Sequence, residues 1–311
     1  MNLQIQWMFR GLAVLALWLF LSGCARQDPG LFETPEAAVQ AVAELIGQHD
    51  DQRTEAIFGP GSIELFQSGD EDADQADGER VKAMIDAGVA FEDFDENTKI
   101  ALLGDAAWPW PIPLVRDGEG WRFDTASGRE ELLNRRIGRN ELWTLTALHE
   151  VVEAQREYRS QPRDGNPPAY AQRFRSSEGR HDGLYWPAAG DSELSPLGDL
   201  LAESEAWGPD PHPFNGYFYR MLTRRDASAP GGARDYLDEN GLLTGGFAVV
   251  AWPAKHGNSG VMTFITNHRG LIYQKDLGPA TEQAASAIQA FNPDASWTPT
   301  GDMMIGADPQ E

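Results

Sequence analysis

The chain has 311 residues, 48 of them acidic and 25 basic, for a formal charge of −23. Such a surface repels nucleic acid and anionic lipid headgroups, which argues against both as partners. Apolar residues make up 41% of the chain, enough to exclude wholesale disorder. One cysteine allows no internal disulfide, so any exported form relies on packing.

Arg10 gives the N-terminus a positive start, and residues 11 to 22 follow as 12 mostly apolar positions. A membrane-spanning helix needs about 20, so this segment reads as a secretory signal. It ends in Leu21-Ser22-Gly23-Cys24. That stretch resembles the bacterial lipobox, in which a cysteine is acylated before cleavage. The resemblance implies that Cys24 becomes a lipidated N-terminus, leaving 288 residues and, without Arg10, a charge of −24. Two acyl chains would anchor it stably in a membrane. The following Ala25 is not the aspartate that retains lipoproteins at the inner membrane. The expected address is therefore the outer membrane, facing the periplasm. The plainer reading leaves Cys24 an ordinary thiol in a cleaved leader or membrane anchor.

At about 150 residues per domain the length suggests two. We expect a signal over 1–23, a tether over 24–33, a small α+β domain over 34–128, a second domain over 129–297 and a disordered tail over 298–311. Thr34 is the expected N-cap of a first helix, with Pro35 in its first turn and Glu36 favouring the dipole. Phe58 to Ser62, "FGPGS", breaks the chain. An acidic loop follows, then a second helix from about Gly78 to Gly88. Strands are expected near 99–104 and in a hairpin over 113–124 that turns at Asp117-Gly118. This plan looks like the curved-sheet domains related to nuclear transport factor and cystatin.

The second domain opens with a long helix, about Glu130 to Arg159. Leu145, Leu148, Val152 and Tyr158 lie near one stripe, with Glu150, Glu153, Arg156 and Glu157 on the solvated side. A loop-rich stretch leads to strands at 216–222 and 245–253. A hairpin through Asn267-His268-Arg269-Gly270 comes next. A short helix over 281–291 closes the unit.

Several of these stretches together, among them "TPEAAVQAV", "WPWPIPLVRDGEGWRFD", "GLYWPA" and "GGFAVVAWPAKHGNSGVMTFITNHRGLIYQKDLGP", resemble a bacterial envelope family catalogued as domain of unknown function 2950. The resemblance implies an exported protein and carries no catalytic residues. The C-terminal half also looks like the globular part of type IV pilins and pseudopilins. Gln155, Tyr158, Tyr217, Pro253, Gly257, Gly260 and Phe264 take the places of that pattern. Residues 125 to 142 are charged, however, where pilins carry the apolar helix through which they polymerise.

The chemical motifs are incomplete. "HEVVE" sets His149 and Glu153 one helical turn apart, but Glu153 stands where a zincin has its second histidine. Asp70, Asp72 and Asp74 begin like a calcium loop. Gln75 then stands where that loop needs glycine and Val81 where it needs a bidentate glutamate, so a solvated acidic loop is expected, with weak calcium binding as the alternative. Ser192 and Ser259 lie outside any nucleophile elbow. A folded triad of Ser259, His256 and an aspartate is the residual catalytic option. No dinucleotide or phosphate loop motif is present, and no cofactor is expected. The aromatics stand out. Trp108, Trp110, Trp186 and Trp252 sit beside prolines or glycines or at strand ends, as a candidate surface for an envelope protein or a glycan, or as staples holding loops onto sheets. The resulting expectation is a lipid-anchored, non-catalytic binding module in the envelope. A periplasmic hydrolase or small-ligand enzyme and a structural envelope protein are the competing readings.

Overall fold

A computed structural model of the protein describes residues 30–187, 194–198, 212–229 and 231–301. Cys24 and Ser192 lie outside them. The fold is α+β, with its buried apolar residues gathered in two cores.

The first core begins with α1 (Pro35–Leu45). Thr34 caps it as expected, its Oγ1 accepting the Ala37 N–H at 3.1 Å, and Ala38, Val39, Val42 and Ala43 form the buried face. Helix α2 (Asp51–Phe58) and the single turn α3 (Ile63–Phe66) follow. Helix α4 spans Glu71–Ala87, so the acidic stretch expected to be a loop is helical. Asp70 is its N-cap, and Glu71, Asp72 and Asp74 occupy the first turn, where carboxylates offset the positive end of the helix dipole. Gly88, at φ 147°, ends it.

These helices cover an antiparallel sheet in the order β1 (Val89–Asp95), β2 (Thr98–Leu103), β4 (Leu114–Asp117), β5 (Gly120–Phe123), with β3 (Trp108–Pro109) paired to β2. The β4–β5 loop sits one residue later than expected. Asp117 pairs with Gly120, and Gly118 (φ 60°) is the first loop residue, the place where tight hairpin turns take glycine.

Helix α5 runs unbroken from Thr125 to Arg159, capped by Asp124. It starts five residues before the expected position and passes straight through the anticipated boundary at 128/129. Leu132 packs on the first core, whereas Leu148, Val151, Val152 and Tyr158 belong to the second. Gly128 is what lets the helix start close against the first unit, since a Cβ there would meet the Ile112 Cα at 2.6 Å. Among the described residues no helix is long and apolar enough to cross a membrane.

The second sheet has the order β12 (Thr298–Pro299), β11 (Tyr273–Asp276), β10 (Met262–Asn267), β9 (Ala248–Pro253), β6 (Tyr217–Leu222), all antiparallel. Every residue of β9 is buried, which fits its continuous apolar run. A two-stranded ribbon, β7 (Arg224–Arg225) with β8 (Arg234–Asp235), and α6 (Thr281–Ser286) complete the unit. Of the tail expected to be disordered over 298–311, Thr298–Pro299 instead forms β12 and the Thr300 N–H reaches the Ile272 carbonyl at 3.1 Å, while 302–311 lie outside the described residues.

A polar clasp ties the two units together. Buried Arg136 on α5 donates to the Leu65 carbonyl at 2.6 Å and to Asn258 Oδ1, while Asn258 Nδ2 donates to the Glu64 carbonyl at 2.7 Å. Asp70 Oδ1 accepts the Ala73 N–H, and its Oδ2 accepts the Gly216 N–H at 2.6 Å. Desolvation pushes the Asp70 and Asp74 carboxyls up and the Arg136 guanidinium down. Asn140 donates to the Ser259 carbonyl, and Glu141 accepts the Val261 and Met262 N–H groups at 2.9 Å.

Candidate functional site

The four tryptophans do not make one exposed face. Trp110, Trp186 and Trp252 are buried, and Trp108 is half-buried. Trp108 packs edge-on to Trp110 at 6.2 Å and lies 5.2 Å under the Arg135 guanidinium, stapling the β3 loop to α5. Trp252 lies beside Phe218 and Arg220 on the second sheet. The aromatic surface expected from the sequence is thus corrected: Trp110, Trp186 and Trp252 are packed inside the fold, and only Trp108 keeps a partly exposed ring.

The residual triad is not assembled either. Ser259 is fully buried, and its Oγ accepts the Lys255 N–H at 2.9 Å. His256 Nε2 meets Asp276 Oδ1 at 2.8 Å instead. Glu153 pairs with Arg156 rather than His149. Both Asp70 oxygens hold backbone N–H groups, and among the described residues no cluster of three or more acidic, histidine or cysteine side chains is placed to hold a metal ion.

The structure brings together a different set at the C-terminal end of α5. Arg163, Asp164, Gly165 and Asn166 form a tight turn closed by two backbone hydrogen bonds, Asn166 N–H to the Arg163 carbonyl at 2.8 Å and the reverse at 3.3 Å. Asp164 and Gly165 both take positive φ (49° and 81°), as the Asp-Gly pair of a type I′ turn requires. The turn folds Arg163 back onto the helix. Its guanidinium is buried, 4.9 Å over the Tyr158 ring and 5.0 Å over Trp186, and its Nε donates to the Tyr158 carbonyl. Burial raises the Tyr158 phenol to about 12, and its hydroxyl donates to the His181 carbonyl at 2.6 Å. The His181 ring stacks on Trp186 at 4.3 Å.

From there the chain passes Gln155, a buried side chain that brackets Ala171 like a strand partner. Its Oε1 accepts the Ala171 N–H at 2.8 Å and its Nε2 donates to the Ala171 carbonyl at 2.9 Å. This fixes residues 170 to 173 against the helix. Together with Tyr170, Gln172, Arg173, Arg180 and Asp182, the turn encloses a recess of about 280 Å³. The Asp182 carboxylate accepts the Ser177 N–H and hydroxyl, at 2.7 and 3.0 Å. Arg180 lies 3.5 Å from Asp164, and Arg173 lies 3.8 Å from Asp182.

A larger cleft, about 600 Å³, opens between the β7–β8 ribbon and residues 284 to 292. Much of its wall is alanine, and Arg225 there is engaged by the Gly231 and Gly232 carbonyls at 2.6 Å. The smaller recess therefore concentrates the binding chemistry. Reading the sequence alone missed it, although Asp164-Gly165 was a legible turn signal.

An α+β chain with two cores, joined by one helix and carrying an arginine-lined recess at that helix's end, is the class the structure defines. The chain belongs to the family described as "Protein of unknown function (DUF2950)", whose model matches residues 30–300. No curated protein and no solved structure gives a significant match.

Proposed function

We propose that this is a lipid-anchored protein of the bacterial envelope, held at the outer membrane through Cys24 and facing the periplasm, that acts as a non-catalytic binding module. We propose further that its halves follow the nuclear transport factor/cystatin-like and pilin-like plans. The observation that carries the binding reading is the recess at the end of α5. Its lining offers fixed donors and ring edges: three guanidiniums, two tyrosines and side-chain amides. None of those lining side chains has an ordinary pKa near neutrality, so the set suits holding a ligand better than moving a proton. The anchor reading rests on the leader and on the lipobox-like residues before Cys24.

The test is crosslinking in living cells, followed by capture of the protein and mass spectrometry, with wild type beside an Arg173→Glu/Arg180→Glu variant. A bound partner or glycan lost in the variant supports the module. Identical captures from both proteins sink it. Separately, Cys24→Ala is expected to abolish acyl labelling and membrane association. Unchanged labelling would overturn the anchor.

A further inference from the structure

We infer that the recess at the end of α5 is a site for an anionic sugar unit, a single polyhydroxylated ring bearing a carboxylate or a phosphate. This rests on the binding reading above and names its ligand class.

Three observations carry it. The first is charge. In a chain of −23, Arg163, Arg173 and Arg180 converge on one cavity, and Arg159 stands beside it with its guanidinium 4.9 Å over the Tyr170 ring. Asp182, the one carboxylate in the lining, holds Ser177 and also lies 3.8 Å from Arg173 and 3.9 Å from Arg180, and Asp164 at the edge lies 3.5 Å from Arg180. Four arginines against these two carboxylates leave the recess net positive. The screening length is about 8 Å at physiological salt, so a ligand in the recess responds to these nearby groups more than to the distant acidic surface. Guanidinium forks match the oxygens of carboxylates and phosphates and bind them more tightly than neutral acceptors.

The second is size. A cavity of about 280 Å³ falls just below the range of roughly 300–1,000 Å³ for small-molecule sites. It has room for one ring and little more.

The third is the remaining chemistry. Tyr158 and Tyr170 hold the Arg163 and Arg159 guanidiniums over their rings at 4.9 Å and line the recess with ring edges, and Asn166 and Gln172 supply amide groups there. Gln172 spends its Nε2 on the Gly241 carbonyl at 2.6 Å, which leaves its Oε1 to accept from a hydroxyl. A bare oxyanion has no proton to give the Gln172 Oε1 acceptor, and a long apolar ligand would leave the amides unpaired.

The test uses the full-length protein in detergent and isothermal titration with four probes: glucuronate, glucose 6-phosphate, glucose and inorganic phosphate. The expected result is saturable binding of the two anionic sugars, weakened at least tenfold by Arg173→Ala/Arg180→Ala. Both side chains are more than half exposed, so the variant should keep the wild-type melting temperature. Glucose and phosphate alone are expected to bind at least tenfold more weakly. Arg173→Lys/Arg180→Lys keeps the charge without the fork and should fall between. Glucose binding as tightly as glucuronate would overturn the anionic assignment. Inorganic phosphate binding as tightly as glucose 6-phosphate would overturn the sugar. If none of the four binds while the cellular partner is still lost with the Arg173→Glu/Arg180→Glu protein, the ligand class falls and the binding module stands. If that partner is retained as well, both fall.

Discussion

The carboxylate of Asp70 caps its own helix with one oxygen and, with the other, holds the N–H of Gly216, 146 residues away, at 2.6 Å. A local helix signal is thereby also a long-range tie between the two units. Asp70→Asn puts an amide NH₂ opposite one of these N–H donors. The predicted loss is about 1–3 kcal/mol in urea unfolding at pH 7. A variant within a few tenths of wild type would show that the Gly216 contact contributes nothing.

Arg136 makes the complementary prediction. It is buried, and it bonds to Asn258 and the Leu65 carbonyl. Arg136→Met leaves both acceptors short of a donor and removes a positive charge near Asp74. We expect a loss on the order of 3 kcal/mol, with calorimetry showing two transitions as the cores uncouple. A single transition at the wild-type temperature is the contrary result.

Gly260 lies against the Tyr217 ring so closely that a Cβ would meet the phenol oxygen at 2.1 Å and Cζ at 2.5 Å. Tyr217 is fully buried, and its hydroxyl donates to the Met262 carbonyl. Gly260→Ala must therefore move an aromatic ring in a packed core. The expected cost is about 1–3 kcal/mol. Pairing it with Tyr217→Phe should recover part of that loss. Absence of recovery would place the strain elsewhere.

Stability should also depend on pH through His268. Its ring sits between Tyr170 and Tyr236, against Gly246, with Arg269, Arg225 and Arg234 acting on it. Burial, helped by those arginines, lowers its pKa to about 4. The unfolded ring takes a proton near 6.5. Between those values the unfolded state binds more protons, so the contribution is complete above about pH 6.5 and is lost as pH falls toward 4. The full effect is about 3 kcal/mol. His268 Nδ1 has no hydrogen-bond partner among the described residues, so His268→Asn breaks no such bond there. The stability gap between wild type and His268→Asn should narrow by roughly that amount between pH 7 and pH 4. A constant gap would rule out His268 as the source.

What the sequence made legible were the elements with strong local signals. Thr34-Pro35 marked α1, the apolar stripe through Leu148 and Val152 marked α5, and the unbroken apolar run marked β9. The acidic start of α4 misled because that helix buries only Ile85 among its residues. Its apolar face, Val81, Met84 and Ile85, lies in the second half, and the acidic first half depends on the cap and first-turn carboxylates. Strand β1 was missed because it is an exposed edge, with Glu92, Asp93 and Asp95 facing water and Phe94 76% exposed. The tryptophans misled for another reason: a proline or glycine beside an indole marks a turn but does not say which way the ring points. The recess was invisible because its arginines meet only after a turn and a glutamine bracket have folded the chain back.

The length of α5 has a geometric consequence. Phe32 is bridged to Trp121, next to the start of this helix, and the recess lies at its far end, past Tyr158. Thirty-five residues span about 50 Å. If Cys24 is held in a bilayer, the few residues up to Gly30 can reach no more than about 20 Å. The first core would then hang close to the lipid, and the helix would act as a boom. Anything the recess held would then lie up to that distance farther from the lipid than the first core.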